Sequence, residues 1–305
     1  MKKLVMHSSP HLYVRSNTLS IMGSVILALM PAAVAGCLLF RIPALCLLMA
    51  TTGSAFLTDL MLRALLPNRA PAPDGSAAVT GLILGLSLPP SFPVVWAIAG
   101  SVFAILIVKE LFGGIGKNFA NPALTARMLL MVLFMQQMHT WTSPNSSVDA
   151  VSSATPLAEQ TTLWDLFLGN TAGCIGETCA AAILLGGIYL YLTGIISPAA
   201  PLAYLGSFAL LTWIGGYPVL PQMLSGSLLF CAVFAATDYT TTPITKAGKI
   251  LFGIGCGCIT YFVRHYGGYA EGAGFAVLIM NLFVPLLDRI AAAKPFGAVS
   301  GKAND

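Results

Sequence analysis

The chain alternates long apolar runs with short polar joints. Runs of a length to cross a bilayer fall near residues 18–40, 43–66, 93–112, 123–138, 177–196, 200–217, 249–266 and 273–293, against the roughly 20 residues that a helix needs to span hydrocarbon. Two further runs are short. One, 77–88 (AAVTGLILGLSL), stops at Pro89 and Pro90; the other, 224–236 (LSGSLLFCAVFAA), stops at the polar turn that starts with Asp238 and ends at Pro243. The pattern predicts an all-α polytopic membrane protein with ten transmembrane segments, the third and eighth of them short. These two hold the same position in two sets of five. Five is odd, so the second set runs through the membrane upside down relative to the first. Paired short helices in matching positions point to a midplane site between inverted repeats, although two weak spans in an ordinary bundle give the same pattern.

Composition and charge agree with that reading. Of the 305 residues 57% are hydrophobic and only 9% charged, where a soluble domain carries about 25% charged residues. With the N-terminus inside and ten spans threaded, only Arg41 and Arg264 of the 15 Lys and Arg fall on or near the outer side. The remaining cations, Lys109 and Arg127 among them, fall inside, so the net charge of +4 marks topology and not nucleic-acid binding. Both termini are then cytoplasmic. The chain divides into a first five-helix repeat (1–138), an outer loop (139–171) and a second five-helix repeat (172–305). V-A-G-C at 34–37 looks like a lipoprotein cleavage box, but the polar start before it is too long for a signal peptide, and the first apolar run reads as a retained helix. Cys37, Cys46, Cys231, Cys256 and Cys258 fall inside apolar runs and read as small buried hydrophobes; Cys174 and Cys179, near a membrane face, are free or paired with each other.

The outer loop carries the most informative stretch, HTWTSPNSSVDAVSSATPLAEQTT at 139–162. It has no Lys or Arg, and Trp141 and Trp164 bracket it. A phosphate group there would find no cationic side chain. Holding it would take backbone amides, a helix N-terminus or a covalent bond. The string from Asp149 to Thr155, D-A-V-S-S-A-T, resembles D-x-x-S-G-A-T. That is the flavinylation motif in the membrane subunits of the Rnf complexes and of the Na+-translocating NADH:quinone oxidoreductases. Further stretches resemble the RnfD members of this family: SSPH at 8–11, DGSAAVTGLILGLSLPP at 74–90, GGIGKNFANPA at 113–123, GCIGET at 173–178 and ATDYTTTP at 236–243. The resemblance implies FMN joined through its phosphate to Thr155 by a flavin transferase. Asp149, Ser152, Ser153 and Ala154 complete the motif. Ser153 stands where the family has Gly, a residue that reaches φ > 0 at no steric cost.

On the inner side, Asn118 and Asn121 are three apart, which puts two amides on one side of a helical turn. Amides donate and accept at once, as the C=O/N–H edge of a flavin ring requires. A glycine turn with Asn121-Pro122 opening the next helix accounts for the same residues. Asp238 follows the short eighth helix, where an acid is costly unless it reaches water or a partner. The resemblance implies a non-covalent riboflavin at Asn118, Asn121 and Asp238. It also implies an ion path between the two short helices, lined by Val79, Leu82 and Leu86 on one and by Phe230 and Phe234 on the other; core packing is the plainer reading of these five. Glu177 and Lys109-Glu110 read as interfacial charges or ion pairs.

Taken together, the resemblance implies the membrane subunit of an Rnf-type electron transport complex in a bacterial inner membrane, with the Thr155 loop periplasmic. Such a complex couples electron transfer between ferredoxin and NAD to movement of Na+ or H+. The chain has no iron-sulfur cysteine set and no dinucleotide-binding glycine pattern. Ferredoxin and NAD are then bound by the membrane, flavoprotein and iron-sulfur partners, and the chain is inactive alone. The same spans also fit a flavin-free channel or solute transporter of the urea-transporter type.

Overall fold

The computed structural model describes residues 17–65, 74–142, 144, 162–267 and 272–291, and every regular element among them is helical. The first, α1 (Thr18–Leu65), is two helices joined end to end at Arg41, whose φ of 57° and ψ of −135° are not helical. Pro43 lies just beyond; a proline cannot donate its N–H to the helix and disfavours the α conformation in the residue before it. The joint falls where the two predicted runs 18–40 and 43–66 meet. A short helix, α2 (Ser76–Leu86), follows. Next come α3 (Val94–Phe103), which continues as a π-helical stretch to Glu110, and α4 (Pro122–Leu133) with the single turn α5 (Met135–Met138).

After the outer loop come α6 (Leu163–Leu168), α7 (Ala180–Leu192) and α8 (Ala199–Ile214). Then follow α9 (Val219–Leu224) and α10 (Leu228–Phe230), which runs on as π-helix Cys231–Ala235. The described chain closes with α11 (Lys246–Tyr266) and α12 (Gly272–Ile290).

Three of these helices, α1, α11 and α12, are long and apolar enough to cross a membrane. Several others are shorter than the apolar runs that predicted them, because buried irregular chain takes the place of helix. The run 177–196 becomes helical only at Ala180; residues 171–178 ahead of it are non-helical and largely buried. There the N–H groups of Ile175 and Gly176 donate to the carbonyls of Leu88 (3.1 Å) and Leu86 (2.7 Å), closing the open end of α2. The run 224–236 breaks at Ser225–Ser227 into α9 and α10. Arg264 of α11 donates to the carbonyls of Gln222 (2.7 Å) and Ser225 (3.1 Å) at that break.

Helix pairs meet at small residues. A side chain at Gly81 or Gly85 of α2 would collide with the Leu48–Ala55 turns of α1, and one at Gly253 or Gly257 of α11 with the Ala200–Phe208 face of α8. Between helices in an apolar solvent, such close approach supplies the packing that a hydrophobic driving force supplies in water. The outer surface is correspondingly apolar: Leu38, Ile42, Met49, Leu192, Leu202 and Trp213 are all about two-thirds exposed or more.

Lys109 and Arg127, counted among the inner cations, are each almost fully buried and ion-paired. The reading of the cysteines is corrected in part. Of the five apolar-run cysteines only Cys231 and Cys256 are buried; Cys46 is exposed, because it lies on the outward face of α1, and all seven thiols are free.

Candidate functional site

The two short helices run toward one cleft from opposite ends. Ser76, at the N-terminus of α2, and Thr237 and Asp238, just past the C-terminal end of the α10 π-helix, line it together with Lys109, Asn118 and Asn121. Three of the sequence-predicted inner residues thus converge, although 117 positions separate Asn121 from Asp238.

Asn121 is there because it caps α4. Its backbone is extended, Pro122 occupies the first helical position, and its Oδ1 accepts the N–H groups of Ala123 (3.1 Å) and Leu124 (3.2 Å), the usual duty of an Asn N-cap before proline. That leaves its Nδ2 to donate to Asp238 Oδ2 at 3.2 Å. Asp238 in turn organises the turn after the π-helix. Its Oδ1 accepts from the N–H (3.1 Å) and Oγ1 (2.9 Å) of Thr240, and its Oδ2 from Thr241 Oγ1 (3.3 Å). Burial pushes its pKa up; the donors from Thr240, Thr241 and Asn121 oppose that push without cancelling it.

Sequence reading missed Asn281. This residue of α12, with its amide turned to satisfy its neighbours, accepts the Asn121 N–H at 3.1 Å and donates to the Thr241 carbonyl at 3.0 Å. It therefore ties the cap of α4 to the Asp238 turn. A lone Asn in an apolar helix was its only sequence signal.

Asn118 differs from its neighbour. Its Oδ1 is buried and has no hydrogen-bond partner, an arrangement that costs about 1–3 kcal/mol unless a ligand or water fills it. A flavin ring edge, which offers an N–H between two carbonyls, suits an orphan acceptor beside the amide of Asn121, so the polar residues fit that group. The free space is narrow, about 80 Å³, room for several waters at the roughly 10–15 Å³ each requires.

Of the expected ion-path residues, Val79 and Phe234 line the cleft itself. Leu82, Leu86 and Phe230 are buried in the same core cluster, with the Phe230 and Phe234 rings 5.3 Å apart.

Beside the cleft lies a charged cluster whose pairing the sequence did not reveal. Buried Asp59 of α1 meets Lys109 Nζ at 3.1 Å and Arg63 Nε at 2.7 Å, and Arg63 reaches Asp74 at 3.2 Å. Asp74 lies in the turn that precedes α2, and its Oδ1 accepts the Ser76 N–H (3.1 Å) and Oγ–H (2.6 Å). Partial burial works to raise its pKa, but the Ser76 hydrogen bonds and the charges of Lys109 and Arg63 outweigh it, and the net shift is downward. At the opposite end of α2, Arg127 of α4 pairs with Glu177 at 2.7 and 3.3 Å, both deeply buried. Glu177 and Lys109 are thus ion-paired, but in the interior and not at an interface.

The outer motif, Asp149, Ser152, Ser153, Ala154 and Thr155, lies outside the described residues. Of its two bracketing tryptophans, Trp141 is buried and Trp164 exposed.

Described residues whose regular elements are all helical, with an apolar exterior, broken helices and a polar cleft at the breaks, define a class: a membrane protein that confines irregular backbone to its protein-lined interior. Within that class, the chain belongs to the NQR2, RnfD, RnfE family, whose profile matches residues 5–297. It is 40% identical to the D subunit of the Na(+)-translocating ferredoxin:NAD(+) oxidoreductase complex of Acetobacterium woodii, over 98% of this chain and 97% of that one. It is 38% identical to the D subunit of the proton-translocating ferredoxin:NAD(+) oxidoreductase complex of Clostridium ljungdahlii, over 95% of each. It is also 36% identical to the D subunit of the ion-translocating oxidoreductase complex of Stutzerimonas stutzeri, over 93% of each.

Proposed function

We propose that this chain is the RnfD-type membrane component of an Rnf complex, carrying FMN on Thr155 and a second, non-covalent flavin in the cleft. Family membership supports the complex, and its relatives' names include both Na+- and proton-translocating systems. The observation that carries the inner flavin is the unpartnered, buried Asn118 Oδ1 beside Asn121 and Asp238. A flavin supplies one- or two-electron exchange when bound. Asn118 offers it an acceptor, Asn121 is held in place by its own cap bonds, and Asp238 fixes the turn that closes the cleft.

Ten spans in two inverted five-helix repeats are part of this reading, supported by the opposed short helices and by the joint at Arg41. So is a bacterial inner-membrane location with both termini cytoplasmic and the Thr155 loop periplasmic. The core shared by α2 and the α10 π-helix would then lie on the path by which ion movement is coupled to electron transfer. Other members of the complex supply the ferredoxin and NAD sites, and a flavin transferase matures Thr155.

In-gel fluorescence tests the covalent flavin. Protein matured with its transferase shows a fluorescent band after denaturing electrophoresis, and Thr155→Ala abolishes it. A dark wild-type band, or fluorescence that survives the substitution, overturns the assignment. Release of a second flavin by acid precipitation, lost in Asn118→Leu, tests the inner site.

A further inference from the structure

The chain between the π-helical end of α3 and the cap of α4 forms a tight loop, 111–119. Gly113, Gly114 and Gly116 have φ of 112°, 89° and 86°, left-handed values that a residue with a Cβ reaches only at a cost. These turns fold the loop back on itself. Phe112 and Phe119 meet across it, with ring centroids 4.8 Å apart and planes at 60°. Both rings are nearly half exposed, and Leu111 beside them is 74% exposed. Lys117 is exposed too. Its side chain lies back along Gly113: a Cβ built there would meet its Cδ at 2.7 Å and its Nζ at 3.5 Å. The ammonium therefore stands beside the residue that follows Phe112.

Two further features narrow what this loop meets. Lys117 is its one charged residue and has no ion-pair partner among the described residues. Glu110, the acid just ahead of the loop, is buried and reaches Lys109 at 3.7 Å. The loop thus presents an uncompensated positive charge. Leu111 and Phe112 also continue an exposed apolar face, because Leu106 and Ile107, about one turn earlier, are exposed as well. In a chain that crosses a membrane, such a face meets acyl chains. Apolar rings at the end of it, with a Lys stem leading to a charge beside them, suit an element seated at the boundary of acyl chains and headgroups. Leu111, Phe112, Lys117 and Phe119 do not line the cleft.

We propose that the 111–119 loop is a binding site for an anionic phospholipid. The headgroup phosphate meets the Lys117 ammonium, and the upper part of an acyl chain packs against Leu111, Phe112 and Phe119. Charge selects the class of lipid. A zwitterionic headgroup carries its own cation, which competes with Lys117 for the phosphate; an anionic headgroup leaves its phosphate to the lysine and is attracted by its charge. The apolar face selects lipid over a docked protein. A protein on this loop would have to cover Leu111 and Phe112, and these share one face with Leu106 and Ile107, which α3 carries into the membrane. The proposal does not depend on either flavin.

The test uses the intact complex with Phe112 replaced by p-benzoylphenylalanine, which keeps an aromatic ring and on irradiation captures whatever touches that position. The complex is placed in vesicles of about three parts phosphatidylcholine to one part phosphatidylglycerol, and the captured molecule is identified by mass spectrometry. Phosphatidylglycerol is expected to be captured about fivefold above its share of the bilayer, the scale of one cation facing an anionic lipid. Lys117→Gln should return capture to the bulk proportion, and Lys117→Arg should keep the enrichment. Capture of the two lipids in bulk proportion overturns the proposal, as does an enrichment that Lys117→Gln leaves unchanged. Capture of another subunit in place of lipid also overturns it and makes this face a protein interface. Irradiation that captures no lipid overturns it as well.

Discussion

The two short helices carry the same residue type at opposite helical ends, Asp238 in the cleft and Asp74 in the charged cluster beside it. Asp74 sits ahead of the N-terminus of α2, where the helix dipole favours a negative charge, and Arg63 and Lys109 stand beside it. Asp238 follows the C-terminal end of the α10 π-helix, where the dipole opposes a negative charge, and it has hydroxyl and amide donors but no cation partner among the described residues. The pKa values move accordingly, that of Asp74 down and that of Asp238 up. One acid is built to be held as an anion in a fixed network. The other is kept under tension beside an unpartnered amide, and perturbed groups of that kind concentrate at functional sites.

Their far ends differ as well. The C-terminus of α2 is closed by backbone from 175–176, which the Arg127–Glu177 pair buttresses; the break before α10 is closed by one side chain, Arg264. The largest effect is expected where closure depends on a fully buried pair. Arg127→Met removes the buried counter-ion that faces Glu177 and should cost about 3–5 kcal/mol, the cost of breaking a buried pair. Arg127→Met with Glu177→Gln should recover a large part of it, as read by thermal unfolding in detergent. A single variant as stable as wild type would show that the pair does not support the end of α2.

Next in size is the support of the cleft itself. Asn281→Ala leaves the Asn121 N–H and the Thr241 carbonyl without their partner and should cost about 1–3 kcal/mol. Unlike Arg127→Met, it should also lower retention of non-covalent flavin. Loss of stability with full retention would separate Asn281 from the site.

Much of this was legible in the sequence, for identifiable reasons. Helix positions followed in outline from apolar runs, and the joint at Arg41 from the gap between the runs 18–40 and 43–66. Asn121 could be placed because an Asn-Pro cap is a local signal, and Asp238 because an acid ending an apolar run is conspicuous. What stayed hidden depends on distant partners. Lys109 finds Asp59 fifty positions away, and Arg127 finds Glu177 at the same separation, so neither partner could be named from the sequence. Buried irregular chain at 171–178 was hidden too: only its last two residues fell in the predicted run 177–196, and its bonds to Leu86 and Leu88 are long-range.

The smallest expected effect is the most discriminating, because its sign differs between the two acids. Asp74 has a folded pKa below its unfolded value of about 3.9. It therefore contributes stability that is fully present above that value and is lost as pH falls through the lowered folded value. Asp238 has a folded pKa above its unfolded value, so its ionised form is the penalised one. Stability is gained as pH falls from above the raised folded value toward about 3.9. At neutral pH, Asp74→Asn should destabilise by about 1 kcal/mol or less, the scale of a partly exposed ion pair lost toward Arg63 and Lys109. Asp238→Asn should be neutral or slightly stabilising, by less than about 1 kcal/mol, since it removes a half-buried charge that lacks a counter-ion among the described residues. The same Asp238→Asn variant should flatten the pH dependence of the unfolding midpoint between the ordinary aspartate value and its raised folded value and release the non-covalent flavin. If instead it unfolds at neutral pH as readily as Asp74→Asn does, the two acids have the same structural role and the asymmetry between the helix ends carries no functional meaning.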